Sequence, residues 1–258
     1  MPSSSEPYTR SELLAVLTAR EIKDRSTIFV GVGIPMLSAA LAQKLHAPNV
    51  VIFFEGGIVA PEIKPRFLPL STNEVRAARR ALVLPPISDV FFYQQRGYLD
   101  YAIIGGAQVD QYGNVNTSVI GDYRSPKVRL PGSGGANDIA SSCTKIIIST
   151  LHEKRRFVKK VDFITSPGFI RGGSSREDEG LVFGRPFKVV TDMALMSFDS
   201  DERVMKVEGV VEGVELEKVL ANMDFTPLVS DNIEVLPPPT EQELMLLRQI
   251  DPDRLMLK

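Results

Sequence analysis

Apolar residues recur along this chain with two alternating periods, and the alternation predicts helices and strands in turn. Thr9-Arg-Ser-Glu12 has capping-box spacing, in which hydroxyl and carboxylate each satisfy a free backbone N–H at a helix start. Leu13, Leu14, Leu17 and Ile22 follow on one stripe, so residues 9–25 are predicted to be an amphipathic helix. Thr27-Ile-Phe-Val-Gly31 is a short β-rich run leading into Gly31-Val-Gly33-Ile-Pro35. Pro35 suits a first helical turn, because it has no N–H to leave unpaired and its φ is already set. The helix it opens is expected to reach Leu45, before His46-Ala-Pro48. Val50-Val-Ile-Phe-Phe54 is apolar throughout, as in a parallel strand covered on both faces.

The alternation continues with helices over 72–81 and 88–97, separated by Pro85-Pro86. Strands are predicted at Tyr101–Ile104, Lys145–Ser149, Val161–Ile164 and Phe187–Thr191. Helices follow at Glu215–Met223 and, after a second capping box at Thr240-Glu-Gln-Glu243, up to Ile250. This order predicts an α/β fold, an open doubly wound, mostly parallel sheet with helices on both faces. Pro237-Pro-Pro239 reads as a stiff spacer rather than a boundary, so one domain over residues 1–258 is expected.

Composition narrows the function classes. Thirty Lys and Arg nearly balance 32 Asp and Glu, so no global field favours nucleic acid or a membrane surface. The single Cys143 excludes an internal disulfide framework and, with no signal-like N-terminus or long apolar run, leads us to expect a cytoplasmic protein. Cys143 has no His near it in sequence and reads as a packed residue. His46 and His152 lack metal-ligand spacing, so no metal is expected.

In open α/β sheets, ligands bind beyond the carboxyl ends of the strands. Gly31-Val-Gly33, Glu55-Gly-Gly57 and Gly105-Gly106 each follow a predicted strand. Glu55 stands out, since a carboxylate between an apolar strand and two glycines can be closely approached. A solvated loop acid or a cap partner has the same local pattern. Gly132-Ser-Gly134-Gly135-Ala-Asn137 precedes a predicted helix and offers backbone N–H groups suited to an anionic oxygen, although glycines also serve turn geometry. No Gly-Lys-Ser/Thr closes it as a P-loop would. Asn116 reads equally as a substrate-positioning amide or a turn residue, and Lys154-Arg-Arg156 as a solvated face, a contact for a ligand's phosphates or a partner contact.

Together these segments resemble family I coenzyme A transferases of the glutaconate CoA-transferase β-subunit type. Glu55-Gly-Gly-Ile-Val-Ala60 is similar to that family's glutamate signature, and Gly31-Val-Gly-Ile-Pro35 to its Gly-x-Gly-x-Pro stretch. Gly105-Gly-Ala-Gln-Val-Asp110, Tyr112-Gly-Asn-Val-Asn116, Gly121-Asp-Tyr123, Gly132 to Asn137, His152 to Phe157 and Thr165-Ser-Pro-Gly168 follow in the β-subunit order. The resemblance implies that Glu55 attacks an acyl-CoA thioester and carries CoA as a glutamyl thioester between two carboxylic acids. It implies that Gly31, Gly33, Asn116, Ser133, Gly134, Gly135, Ala136 and Asn137 surround the oxyanion and CoA. It also implies no permanently bound cofactor, with coenzyme A arriving as acyl-CoA substrate. The α-type signature, Gly-Gly-Phe followed by Gly-x-Pro, is not found, which implies a separate α-type subunit in a hetero-oligomer.

Two positions depart from the signature, with Phe54 where Ser is usual and Gly56 where Asn or Ser is usual. These departures keep open a CoA-thioester decarboxylase or C–C hydrolase of the same fold, and a non-catalytic scaffold is a third reading. The βαβ pattern around Gly31-x-Gly33 with an acid at 55 also imitates an NAD-binding unit. Met36 at the third glycine position and Pro35 in the turn argue against that oxidoreductase reading.

Overall fold

The computed structural model describes residues 8–257. The first predicted helix forms as α1 (Arg10–Arg20), with Thr9 and Glu12 making both halves of the capping box. It stops at Arg20 rather than residue 25. Arg25 adopts a positive φ of 62°, which a right-handed helix cannot continue through. In chain order there follow β1 (Thr27–Val30), α2 (Ile34–Leu45), β2 (Val51–Phe54) and β3 (Ile58–Val59), then a single 3-10 turn at Val75–Ala78. Next come α3 (Ile87–Gln95), β4 (Tyr101–Ile104), β5 (Gln108–Val109), β6 (Val115–Asn116), β7 (Val119–Gly121) and β8 (Pro126–Arg129). The chain continues through α4 (Ala136–Ser142), β9 (Lys145–Ser149), α5 (Ser175–Asp178), β10 (Arg185–Val190) and β11 (Ala194–Ser197). It ends with β12 (Lys206–Val211), α6 (Leu216–Ala221), β13 (Leu228–Leu236) and α7 (Glu241–Ile250).

Nine strands make one sheet in the order β13-β12-β11-β10-β9-β4-β1-β2-β3. The five from β10 to β2 are parallel. β3 and β11 run antiparallel to their neighbours β2 and β10, so the sheet is mixed but mostly parallel. Alternation along each strand divides the core. Ile28, Val30, Ile52, Phe54, Tyr101 and Ile103 face α1, α2 and α7. Phe29, Phe53, Ala102, Ile104, Ile146 and Ile148 face the α3, α4 and α6 side. Helices on both faces are therefore a direct result of strand residues that are apolar at every position.

Two expectations fail locally. Residues 72–81 form only the 3-10 turn, because Ala77 alone is buried there and Val75 is 90% exposed, which leaves no apolar stripe to dock. Val161–Ile164 is irregular rather than a strand. Phe163 and Ile164 lie at the surface, and Asp162 spends its carboxylate on Gln108 Nε2 and Gly121 N. No helix among the described residues is long and apolar enough to cross a membrane.

Candidate active site

β1 is flanked by β2 on one side and β4 on the other, so the chain reverses direction across the sheet there. Strand order reversal opens a crevice at the carboxyl ends, since the connections leave to opposite faces. A cavity of about 330 Å³ occupies this place. Val30, Gly31 and Val32 from the end of β1, Glu55 from β2, Ile104 and Gly105 from β4, and Ser149 from β9 all line it. Thr117, Gly132, Ser133 and Ala136 close the opposite wall, with Thr72 at the side. A larger hollow of about 840 Å³ shares no lining residue with it and includes Asp110, Asp162 and Asp224. Lys159, Lys160 and Arg171 line it as well, so its charges balance, and neither Glu55 nor the glycine loop reaches it.

Glu55 is half-buried at the mouth of β2. Gly135 N–H donates to its Oε2 at 3.3 Å. A Cβ at Gly135 would lie 2.9 Å from that oxygen and 2.7 Å from Phe91 Cζ, so only glycine permits this approach. Gly134 beside it has a φ of 51°, and its N–H has no hydrogen-bond partner among the described residues. Ala136 N–H, by contrast, is used within the turn, donating to Ser133 O at 2.9 Å. The loop is fixed from behind by Thr117, whose hydroxyl donates to Gly132 O at 2.8 Å and whose carbonyl accepts from Gly132 N at 2.9 Å. Asn137 Nδ2 ties the start of α4 to Thr165 O at 2.9 Å.

Gly31 lines the cavity, whereas Gly33 caps α2 with a φ of 89° and is not among the lining residues. Asn116 is fully buried, and its amide is wholly engaged. Nδ2 donates to Gln108 Oε1 at 2.7 Å and Val119 O at 2.6 Å, while Oδ1 accepts from Ser118 N at 2.9 Å. The structure thus places Asn116 behind the wall that carries Thr117, with no free polar atom to offer a substrate.

The two unusual positions beside Glu55 have separate physical reasons. Phe54 is fully buried on the α1/α2/α7 side, so strand alternation turns position 54 away from the carboxylate next to it. Gly56 has no room for a side chain. A Cβ there would collide with Thr72 O and lie 2.6 Å from Asn73 Oδ1.

Sequence reasoning missed Thr72, Thr117 and Phe91, which meet Glu55 and its loop only through folding. It also missed Arg176, which is 1% exposed and donates to Gly184, Pro167, Gly168, Ala140 and Phe183 carbonyls. Burial lowers its pKa to about 10. Its Ala140 contact fastens α4, which carries the glycine loop. Nothing in Ser-Ser-Arg176-Glu-Asp signals this, since the run reads as a surface. Of the basic cluster, Lys154 and Arg155 are exposed, and Arg156 donates to Gly106 O at 2.9 Å. Cys143 is buried, and burial pushes its thiol up to about 12, which removes it as a nucleophile at neutral pH. Among the described residues no cluster of His, Cys, Asp or Glu could hold a metal ion.

The chain as a whole has counterparts among known proteins. Over 245 residues the chain is 37% identical to a subunit of 3-oxoadipate CoA-transferase from Pseudomonas knackmussii, covering 95% of this chain and 94% of that one. It is 37% identical over 257 residues to a subunit of glutaconate CoA-transferase from Acidaminococcus fermentans, covering 97% and 96%. The crystal structure of that organism's glutaconate coenzyme A-transferase superposes with a TM-score of 0.89 at 35% identity, covering 98% of both chains. The family model for Coenzyme A transferase matches residues 11–222. The chain belongs to the coenzyme A transferase family.

Proposed function

We propose that this chain is the nucleophile-bearing subunit of a CoA transferase that moves CoA from an acyl-CoA to a carboxylic acid, including dicarboxylic acids, through a glutamyl-CoA thioester on Glu55. The observation that carries the reading is Glu55 at the carboxyl end of β2, with its Oε2 held by Gly135 N–H in a cavity lined largely by apolar strand ends. A Glu55 oxygen attacks the donor thioester carbonyl and expels CoA thiolate, forming an acyl-glutamyl anhydride. The thiolate attacks the Glu55 carbonyl carbon and releases the first carboxylate, leaving CoA on Glu55. The acceptor carboxylate attacks that thioester, expelling the thiolate again. The thiolate takes the new acyl group and frees Glu55. Four easier acyl substitutions in sequence replace one slow exchange between weak nucleophiles.

Each tetrahedral step places charge on a carbonyl oxygen. The N–H groups of Gly134 and Gly135 are the donors suited to it, each worth about 3–4 kcal/mol in such a role. Gly31 and Ser133 shape the cavity floor and wall. Gly33, Asn116, Ala136 and Asn137 support the surrounding backbone. The whole chain acts as one domain, and its partner is an α-type subunit that completes the site.

Two measurements test the reading on the co-purified pair. Acyl-CoA without acceptor is expected to leave CoA on Glu55, reducible by borohydride to an alcohol found in the peptide containing residue 55. Glu55→Gln is expected to lower transfer by at least roughly 10³-fold, since a neutral amide does not attack thioesters. A Gln variant with unimpaired transfer would falsify the nucleophile assignment. CoA-dependent decarboxylation or C–C hydrolysis without an adduct would favour those reactions instead.

A further inference from the structure

A hairpin outside the cavity carries a charge pattern that the reaction above leaves unused. β7 and β8 pair antiparallel, Val119 with Arg129 and Ile120 with Val128. Their stem begins at the cavity wall, where Leu130 N donates to Ser118 O at 3.0 Å and Gly132 N to Thr117 O at 2.9 Å. From there the ladder projects by roughly 10 Å, three residues at strand rise. Arg124 at its tip and Lys127 and Arg129 on β8 are all exposed. None forms an ion pair among the described residues. The nearby carboxylate of Asp122 accepts backbone N–H bonds from Arg124 and Ser125, at 2.8 and 3.0 Å. In a chain of net charge −2, three unpaired cations on one short hairpin form a local positive arm.

The arm is also stiffened. The Tyr123 ring stacks on Phe163 with centroids 5.1 Å apart and planes 23° from parallel. The Arg129 guanidinium lies 4.9 Å from the Tyr123 centroid and donates to Tyr123 O at 3.1 Å. Asp162 holds Gly121 N at 2.9 Å from the neighbouring segment. Arg129 is thus held in place and loses less entropy on binding an anion than a free side chain would, while Arg124 and Lys127 ride on a stiffened backbone.

We propose that the β7–β8 hairpin binds the phosphorylated nucleotide end of coenzyme A, with Arg124, Lys127 and Arg129 meeting its phosphates. The inference rests on the acyl-CoA reading of the cavity. A thioester carbonyl at Glu55 leaves the extended pantetheine arm to run past Thr117 and Gly132, the residues from which the hairpin springs. The polyanion then emerges beside the three cations. The apolar cavity itself is lined by no Lys or Arg, so phosphates have no counter-charge there.

The test uses the co-purified complex and its Arg124→Gln/Lys127→Gln/Arg129→Gln variant, titrated with CoA and, separately, with 3′-phosphoadenosine 5′-diphosphate. The variant is expected to bind both at least roughly tenfold more weakly, with a smaller dependence on salt. KM for the acyl-CoA donor should rise while KM for the same acyl group on phosphate-free pantetheine stays unchanged. Unchanged CoA affinity overturns the proposal, as does an equal loss with both thioesters. A variant that no longer assembles with the partner also overturns it, because the hairpin would then belong to the contact between the two chains. A wild-type complex that binds CoA through these cations but transfers none of it sinks the transferase reading and leaves the hairpin standing. If the wild type binds no CoA at all, both fall.

Discussion

Glu55 and Gly135 come from positions 80 residues apart and depend on each other's size. The space between them is already filled by Glu55 Oε2 on one side and Phe91 on the other. Gly135→Val therefore has two consequences. The new side chain displaces Glu55 or Phe91, with a stability loss of about 1–3 kcal/mol from overpacking. The displaced carboxylate also misses its attack geometry, and an error of about 1 Å can cost roughly 10²-fold in rate. The expected result is a folded variant with a far lower kcat, read by steady-state assay beside a thermal melt. Near-normal turnover in a folded variant would remove the loop from the chemistry. Gly56 follows the same logic in a different way. Thr72 and Asn73 occupy the space that a side chain at 56 would need, so the altered signature reflects a neighbouring segment rather than a missing nucleophile.

At the level of secondary-structure elements, the junctions are made by buried polar groups that join segments far apart in sequence. Glu12 closes the α1 cap and receives Arg248 of α7 at 2.8 Å, so one carboxylate fastens two helices. His152, just past β9, bonds Thr191 after β10 through Nδ1 at 3.2 Å and Val219 O of α6 through Nε2 at 3.0 Å. Burial lowers its pKa below the ordinary 6.5, more than the Val219 carbonyl and Asp192 raise it. The folded state therefore keeps His152 neutral, while the unfolded chain protonates near the ordinary value. Unfolding takes up a proton in that window, so this contribution is full above the ordinary value and is lost as pH falls from about 6.5 towards the folded pKa. Chemical denaturation of the wild type at pH 7.5 and 5.5 should show lower stability at the acid value. His152→Gln should be less stable at both pH values and should show a smaller difference between them. An equal pH difference in the variant would assign the effect to other groups.

For the molecule as a whole, the Glu55 edge is unfinished. The segment that packs against Gly56 and Gly57 leaves Phe67, Leu70, Val75, Leu82, Leu84 and Ile87 about half or more exposed. Apolar exposure of this extent beside the proposed nucleophile fits a covered subunit contact. The purified chain alone is expected to show less than about 1% of the complex's transfer rate, because the intermediates proposed above would hydrolyse unless the site is closed and dry. Robust transfer by the chain without any second polypeptide would overturn this expectation.

The same contrast divides what was legible in the sequence. Continuous apolar runs at 28–30, 51–54, 101–104 and 146–148 determined parallel strands covered on both faces, because only such strands can bury every apolar side chain. Capping boxes at Thr9 and Thr240 determined two helix starts, since the hydrogen bonds are local. Glu55, Gly31 and the glycine loop were visible because strand ends and glycines leave local signatures. The β11 to β13 extension was not foreseen, because exposed positions interrupt β13 and its pairing is non-local. Asn116 shows the other limit. Its local pattern allowed a substrate contact, and only the fold, by bringing Gln108, Ser118 and Val119 around its amide, consumed every polar atom. Thr72, Phe91 and Arg176 carry no local signal at all. Their places were decided by tertiary packing, because which side chain reaches a cavity depends on segments that meet only once the sheet has closed over its helices.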